Sequence, residues 1–313
     1  MKVLVTGGGG FIGSNLVRAL AERGDEVRVL DNFSTGIRAN LAELAEDVEI
    51  VEGELRSYER VHAATRGIEL VFHQGALPSV PRSVQDPLTT SAVNVEGSLN
   101  VLLAARDEGV RRVVCASSSS VYGNSGTLPR VETANPDPIS PYGVSKLAAE
   151  RFCVSFSRVY QLETVALRYF NVFGPHQDPT SQYAAVVPRF ITAIADGRSV
   201  SVYGDGEQRR DFTYVGNVVE ANLLAADSPG VSGAVLNIAT GRATTVNELA
   251  ETIASILGRS LERDDQPERT GDVRDSWADV TLARELLGWE PRIGLEEGLR
   301  LAAEFFLQRT ALA

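Results

Sequence analysis

The chain has 313 residues, 43% of them hydrophobic, and its 41 acidic side chains against 30 lysines and arginines give a formal net charge of −11. That length can bury a sizeable core in one large or two interlocked domains, and the negative charge argues against nucleic acid as a partner. No apolar run approaches the roughly 20 residues of a membrane span, and two Cys with three His supply neither a disulfide framework nor metal-ligand spacing.

At the start, MKVLV is too short an apolar stretch for a secretory signal, so a cytoplasmic, reducing location is expected. Val3, Leu4 and Val5 read as a strand, and Leu16, Val17 and Leu20 recur at helical spacing. Between them lies TGGGGFIG, with Gly7, Gly10 and Gly13 at every third position. This spacing suits a tight turn, close approach to a pyrophosphate and tight packing of helix on strand, with a bare helix N-terminus facing the anion. Residues 26–30 read as a second strand, and Asp31 follows Gly10 by 21 residues. A carboxylate there would bind the ribose hydroxyls of an adenosine, favouring NAD over NADP; an aspartate that merely caps the next turn is the plainer alternative.

Further apolar runs at 48–51, 70–72, 113–116 and 165–167 alternate with helical stretches, the pattern of a doubly wound α/β fold with a parallel sheet. Asp86 and Pro87 supply an N-cap and a first-turn proline for a long helix ending near Gly109. After Gly174 the texture changes, with Pro175, Pro179 and Pro188 punctuating shorter elements up to a helix ending near Leu307. The expected division is a dinucleotide-binding domain at 1–172, completed by about 213–240, and a smaller α/β substrate domain from 173–212 and 241–313.

Chemistry gathers at the fifth strand and the next helix. SSSSVYG ends that strand, and SPYGVSK sets Tyr142 and Lys146 four apart on one helical face. A phenol near pKa ~10 is a poor base at neutral pH, but a neighbouring ammonium and a cationic nicotinamide both favour its phenolate. A tyrosine and a lysine at this spacing also decorate many surface helices; the glycine loop gives the pair its weight.

These motifs, with HQGA (73–76), NVEG (94–97), LRYFNVFGP (167–175), YGDGEQRRDFTYV and GDVRDSWAD, make the sequence resemble the extended short-chain dehydrogenase/reductases over nearly its whole length. Within them it is most similar to UDP-hexose 4-epimerases, especially those acting on UDP-N-acetylglucosamine. The resemblance implies NAD that stays bound throughout a transient oxidation to a 4-keto sugar. Ser118 then matches the catalytic hydroxyl, with Ser119 as its alternative, Tyr142 the acid/base, and Lys146 the residue on the nicotinamide ribose. It places Gly7, Gly10, Phe11, Ile12, Gly13, Asp31, Asn32, Glu54, Leu55, Gln74, Ala76 and Asn94 around the cofactor. It places Ser119, Ser120, Asn171, Ala185, Val186, Tyr203, Arg210, Arg269, Asp272 and Ser276 around a UDP-sugar. It also implies a homodimer through the helices at 86–109 and 142–160.

Some positions depart from the family. Relatives often carry aspartate where Glu54 stands, and Pro78 replaces a lysine or a glycine. Ser276 stands where epimerases confined to UDP-glucose carry tyrosine, which leaves room for an N-acetyl group; a loop serine is the plain alternative. Sugar-nucleotide 4,6-dehydratases need an Asp-Glu pair where this chain has Ser119 and Ser120. Decarboxylating relatives tend to carry glutamate directly before VYG, and UDP-glucuronate epimerases tend to carry threonine in place of Asn171. An NAD-sensing protein without turnover is the alternative from another class, and the Ser118, Tyr142 and Lys146 set counts against it.

Overall fold

Val3, Leu4 and Val5 are fully buried in the first strand, and every later layer is built outward from it. The computed structural model describes all residues except 45, 125–126, 180–184, 269–272 and 312–313. Among them, strands β1 (Lys2–Thr6), β2 (Glu26–Asp31), β3 (Val48–Glu52), β4 (Leu70–His73), β5 (Arg112–Ser118), β6 (Glu163–Tyr169) and β7 (Ala234–Ile238) form one sheet. Its order is β7-β6-β5-β4-β1-β2-β3, parallel throughout. The order reverses between β1 and β4, so the carboxyl ends of those strands open a crevice, where ligands bind in such sheets. Helices cover both faces, which is why the inner strands read as near-continuous apolar runs.

The helix expected from Asp86 onward is helical but not regular. Asp86 accepts from the Thr89 amide and caps Pro87–Ser91, a π-turn follows at Ala92–Glu96, and regular helix resumes over Gly97–Asp107. The π-turn lies where Asn94 reaches inward: its side chain accepts from Leu77 N (2.7 Å) and donates to Leu77 O (3.1 Å) and Ser145 Oγ (3.0 Å). A separate short helix, Val80–Gln85, precedes it.

Residues between β6 and β7 leave the sheet and, together with residues after β7, build a second cluster. Phe190, Ile191, Val202, Phe212, Leu249, Ile253, Leu299 and Phe306 form that cluster's core. Its strands are short, several of only two residues, and they assemble into two- and three-stranded sheets. Among the described residues no helix is long and apolar enough to cross a membrane.

Candidate active site

A cleft of about 630 Å³ lies over the carboxyl ends of β1 and β4. Its floor is the glycine loop, and two glycines there have steric reasons. Gly7 has φ +70°, and a Cβ would sit 2.6 Å from Gly75 Cα; at Gly13 a Cβ would sit 2.1 Å from the Gly7 carbonyl oxygen. The helix Phe11–Glu22 that follows is capped by Gly10 with no side-chain bond and no acidic residue in its first turn. Its first amides therefore face the cleft as a site for a diphosphate.

Asp31 ends β2 beside this loop and is nearly buried. Its two oxygens accept from Gly9 N (2.8 Å) and Phe33 N (2.7 Å), so the acid orders the loop while keeping lone pairs for a ribose. Burial pushes its carboxyl above the ordinary range, opposed by those amides and by Arg38. Asn32 donates to Glu54 (2.8 Å), and Glu54 also pairs with Arg56. Burial acts to raise Glu54, but the bonds from Arg56 and Asn32 outweigh it and hold the carboxyl below its usual range. These residues fit a dinucleotide: a diphosphate cradle that side chains would fill, and a carboxylate placed for a ribose.

Of the expected cofactor residues, all but Asn94 line this cleft, as does Ala185. The Asn94 side chain bonds Leu77, a residue of the cleft wall, and Ser145.

The helix Pro141–Tyr160 brings up the reactive groups. Ser140 caps it by accepting from Gly143 N, and its buried face runs Gly143, Lys146, Ala149, Glu150, Cys153 and Phe156. Tyr142 is half-buried on the cleft wall, with Ser118 beside its hydroxyl. Burial raises its hydroxyl above an ordinary phenol, and the neighbouring Ser118 pulls the other way. Lys146 donates to the Ala116 carbonyl (3.0 Å), and burial draws its ammonium down to about 8. Of the two candidate hydroxyls, that of Ser118 donates to Ser120 Oγ (3.1 Å) and accepts from Ser120 N (3.1 Å), while Ser119 begins the next 3-10 turn.

Two buried networks support this set without having announced themselves in the sequence. Gly75 N donates to Thr6 Oγ1 (3.2 Å), Thr6 meets His73 Nδ1 (2.7 Å), His73 Nε2 meets Ser98 Oγ (2.8 Å), and Ser98 donates to the Asn94 carbonyl (2.6 Å). Burial, with the Lys146 charge nearby, draws the imidazole down to about 3. The ring is thus neutral, with its proton on Nε2 and Thr6 donating to Nδ1. One turn beyond Lys146, Glu150 accepts from Arg168 (2.7 and 2.8 Å) and from Ser117 (2.9 Å).

Among the described residues expected around the substrate, Ala185 lines this cleft and the others are not part of its lining. Asn171 holds φ +30° and donates to the Asp211 carbonyl (3.1 Å). Arg210 and Ser276 face each other in register on two short strands, and the Arg210 guanidinium donates to the carbonyls of Arg209 (3.0 Å) and Arg274 (2.8 Å). Val186 starts the helix that Ala185 caps, and Tyr203 borders a smaller hollow of about 110 Å³ with Gly204, Asp205 and Arg274. Arg269 and Asp272 lie outside the described residues.

Residues 3–239 match the NAD dependent epimerase/dehydratase family. The chain is 39% identical to the UDP-glucose 4-epimerase of Mycolicibacterium smegmatis, covering 99% of this chain and 100% of that one. Among solved structures it is similar to a UDP-glucose 4-epimerase of Thermotoga maritima with UDP-glucose, at 42% identity, TM-score 0.95 and 100% of both chains. It is also similar to a UDP-N-acetylglucosamine 4-epimerase of Methanobrevibacter ruminantium in complex with UDP-N-acetylmuramic acid, at 40% identity, TM-score 0.94 and 98% of both chains. Sugar-nucleotide decarboxylases and dehydratases are among the more distant similar proteins.

Proposed function

The chain belongs to the NAD-dependent epimerase/dehydratase family, and from that premise we propose that it epimerises a UDP-hexose at C4. The preferred pair is UDP-N-acetylglucosamine and UDP-N-acetylgalactosamine, with UDP-glucose and UDP-galactose also turned over. The observation that carries the reading is Tyr142 on the wall of the dinucleotide cleft, with its hydroxyl beside Ser118 and Lys146 one turn below, lining the same cleft. NAD, when bound, supplies the hydride acceptor and returns the same hydride, so there is no net redox change.

This chain's residues handle the proton and the position. Tyr142 Oη accepts the proton of the sugar 4-hydroxyl and gives one back when the alcohol is re-formed. Ser118 orients that hydroxyl and stabilises its phenolate. Lys146, pinned to the Ala116 carbonyl, keeps positive charge beneath the tyrosine and two further N–H donors for a ribose. Asp31 and the glycine loop hold the cofactor through the cycle. Arg210 and Arg269 counter the diphosphate charge against the field of a protein with net charge −11. Ser119 and Ser120, standing where a dehydratase needs two acids, offer hydroxyls that cannot eliminate water from the sugar.

Ser276 supports the acetylated substrate: it is small, partly open and in register with Arg210. The test is a panel of UDP-hexoses without added NAD, run on wild type and Ser276→Tyr. Wild type should interconvert both pairs. Overpacking costs about 1 to 3 kcal/mol, so the variant should lose roughly 5- to 150-fold in kcat/KM for UDP-N-acetylglucosamine and much less for UDP-glucose. Equal losses would remove Ser276 from substrate selection, and no turnover by wild type would sink the reaction.

A further inference from the structure

Asp211 is a buried carboxylate to which the reaction assigns no task. Its residue has no solvent exposure, and an ion so placed persists only where donors surround it. Four do: Thr240 N (2.7 Å) and Thr240 Oγ1 (2.6 Å) reach Oδ1, while Gly241 N (2.9 Å) and Ala278 N (3.4 Å) reach Oδ2. The carboxylate thus joins the loop after β7 to the segment after Ser276, two pieces far apart in sequence.

Its main chain ties in the remaining pieces. Asp211 N donates to the Ser276 carbonyl (3.0 Å), and the Asp211 carbonyl accepts from Asn171 Nδ2 (3.1 Å). Arg210 directly precedes it, paired with Ser276 on one side and Thr244 on the other. Asn171 meanwhile holds a left-handed φ of +30°, a conformation that persists only where the surroundings over-determine it.

We propose that Asp211 is the positioning residue of the substrate side of the cleft, fixing Asn171, Arg210 and Ser276 relative to one another. This rests on the reading of those three as substrate contacts. None of Asp211's bonds reaches the glycine loop, Asp31 or Tyr142, so its loss should disturb UDP-sugar binding and spare both cofactor retention and the proton-transfer set.

Asp211→Asn is near-isosteric, but its amide nitrogen would confront the Gly241 and Ala278 N–H groups. UDP binding by calorimetry, KM and kcat for UDP-hexoses, and retained NAD are measured on this variant, on Arg210→Ala, and on Thr240→Val and Thr240→Ser. The expected result is a UDP Kd and a substrate KM raised roughly 10- to 100-fold in Asp211→Asn, with kcat within about threefold and NAD retained. Thr240→Val should move the same quantities a fewfold, and Thr240→Ser, which keeps the hydroxyl, should restore them. Wild-type UDP affinity in Asp211→Asn, or a fall in kcat with KM unchanged, would overturn the role. If Asp211→Asn fails to fold, Thr240→Val decides, and an unchanged Kd there overturns it equally. Unchanged UDP affinity in Arg210→Ala would instead overturn the substrate placement. A wild type that binds UDP without turnover would overturn the reaction, while the Kd comparison still reports on Asp211.

Discussion

His73 shows how a single neutral ring can hold an active-site floor in place. Its two nitrogens join the ends of β1 and β4 to the helix that starts at Gly97, and protonation would place a second donor against the donating Thr6 hydroxyl. With a folded pKa of about 3 against 6.5 unfolded, the unfolded chain binds more protons between these values, so stability falls as pH drops below about 6.5. Between pH 7.5 and pH 5 the loss from this group alone should be about 2 kcal/mol. In urea unfolding, His73→Gln should flatten that acid limb by about this amount; an unchanged slope would mean the ring is not held neutral. None of this was legible beforehand, because Thr6, His73 and Ser98 are distant in sequence and ordinary in composition. That Tyr142, Lys146 and Asp31 would share one cleft was legible because their placement is written in short spacings: one helical turn, and one βαβ step after a glycine.

At the scale of elements, the strand-turn-helix at residues 2–22 depends on contact between two backbones. Gly13→Ala would press a methyl into the Gly7 carbonyl, leaving the loop to open and spoil the diphosphate cradle. Protein carrying this change should purify without NAD, read by nucleotide extraction and absorbance; full retention would contradict the assigned cradle. The helix Pro141–Tyr160 depends instead on an ion pair. Glu150 and Arg168 are both buried, so Glu150→Gln leaves a buried guanidinium without its counter-charge and should cost about 3 to 5 kcal/mol in denaturant unfolding. Replacing both partners by Leu and Met should cost less than Glu150→Gln alone, and a larger cost would refute the ion-pair account. The sequence held a faint signal here, a glutamate on the apolar stripe one turn past Lys146 and an arginine inside an apolar strand. Helical periodicity likewise located the segment after Asp86 but could not show the π-turn at Ala92–Glu96, which arises from the inward bonds of Asn94. The two-residue strands around Arg210 and Ser276 are too short to leave any alternation to read.

At the scale of the whole molecule, large apolar side chains stand exposed on the helix Pro141–Tyr160 and on two short helices beside it. Val84 is 65% exposed, Leu88 83% and Val144 53%. They belong to Val80–Gln85, Pro87–Ser91 and Pro141–Tyr160, of which the first two pack against the third. A lone exposed apolar side chain needs no explanation, but three on neighbouring helices mark a surface that gains by being covered. A second copy of the chain would cover it about a two-fold axis, helix against helix, as the resemblance to the epimerases implies. Val144 lies between Tyr142 and Lys146 in sequence but faces outward, so such an interface would brace the helix that carries both. The protein is therefore expected to sediment as a homodimer at micromolar concentration. Leu88→Glu with Val144→Glu would bury four unpaired carboxylates across the interface, at a cost of several kcal/mol, and should yield a monomer that keeps its NAD. Sedimentation velocity decides: a monomeric wild type, or a dimer that survives both substitutions, would place the interface elsewhere or nowhere.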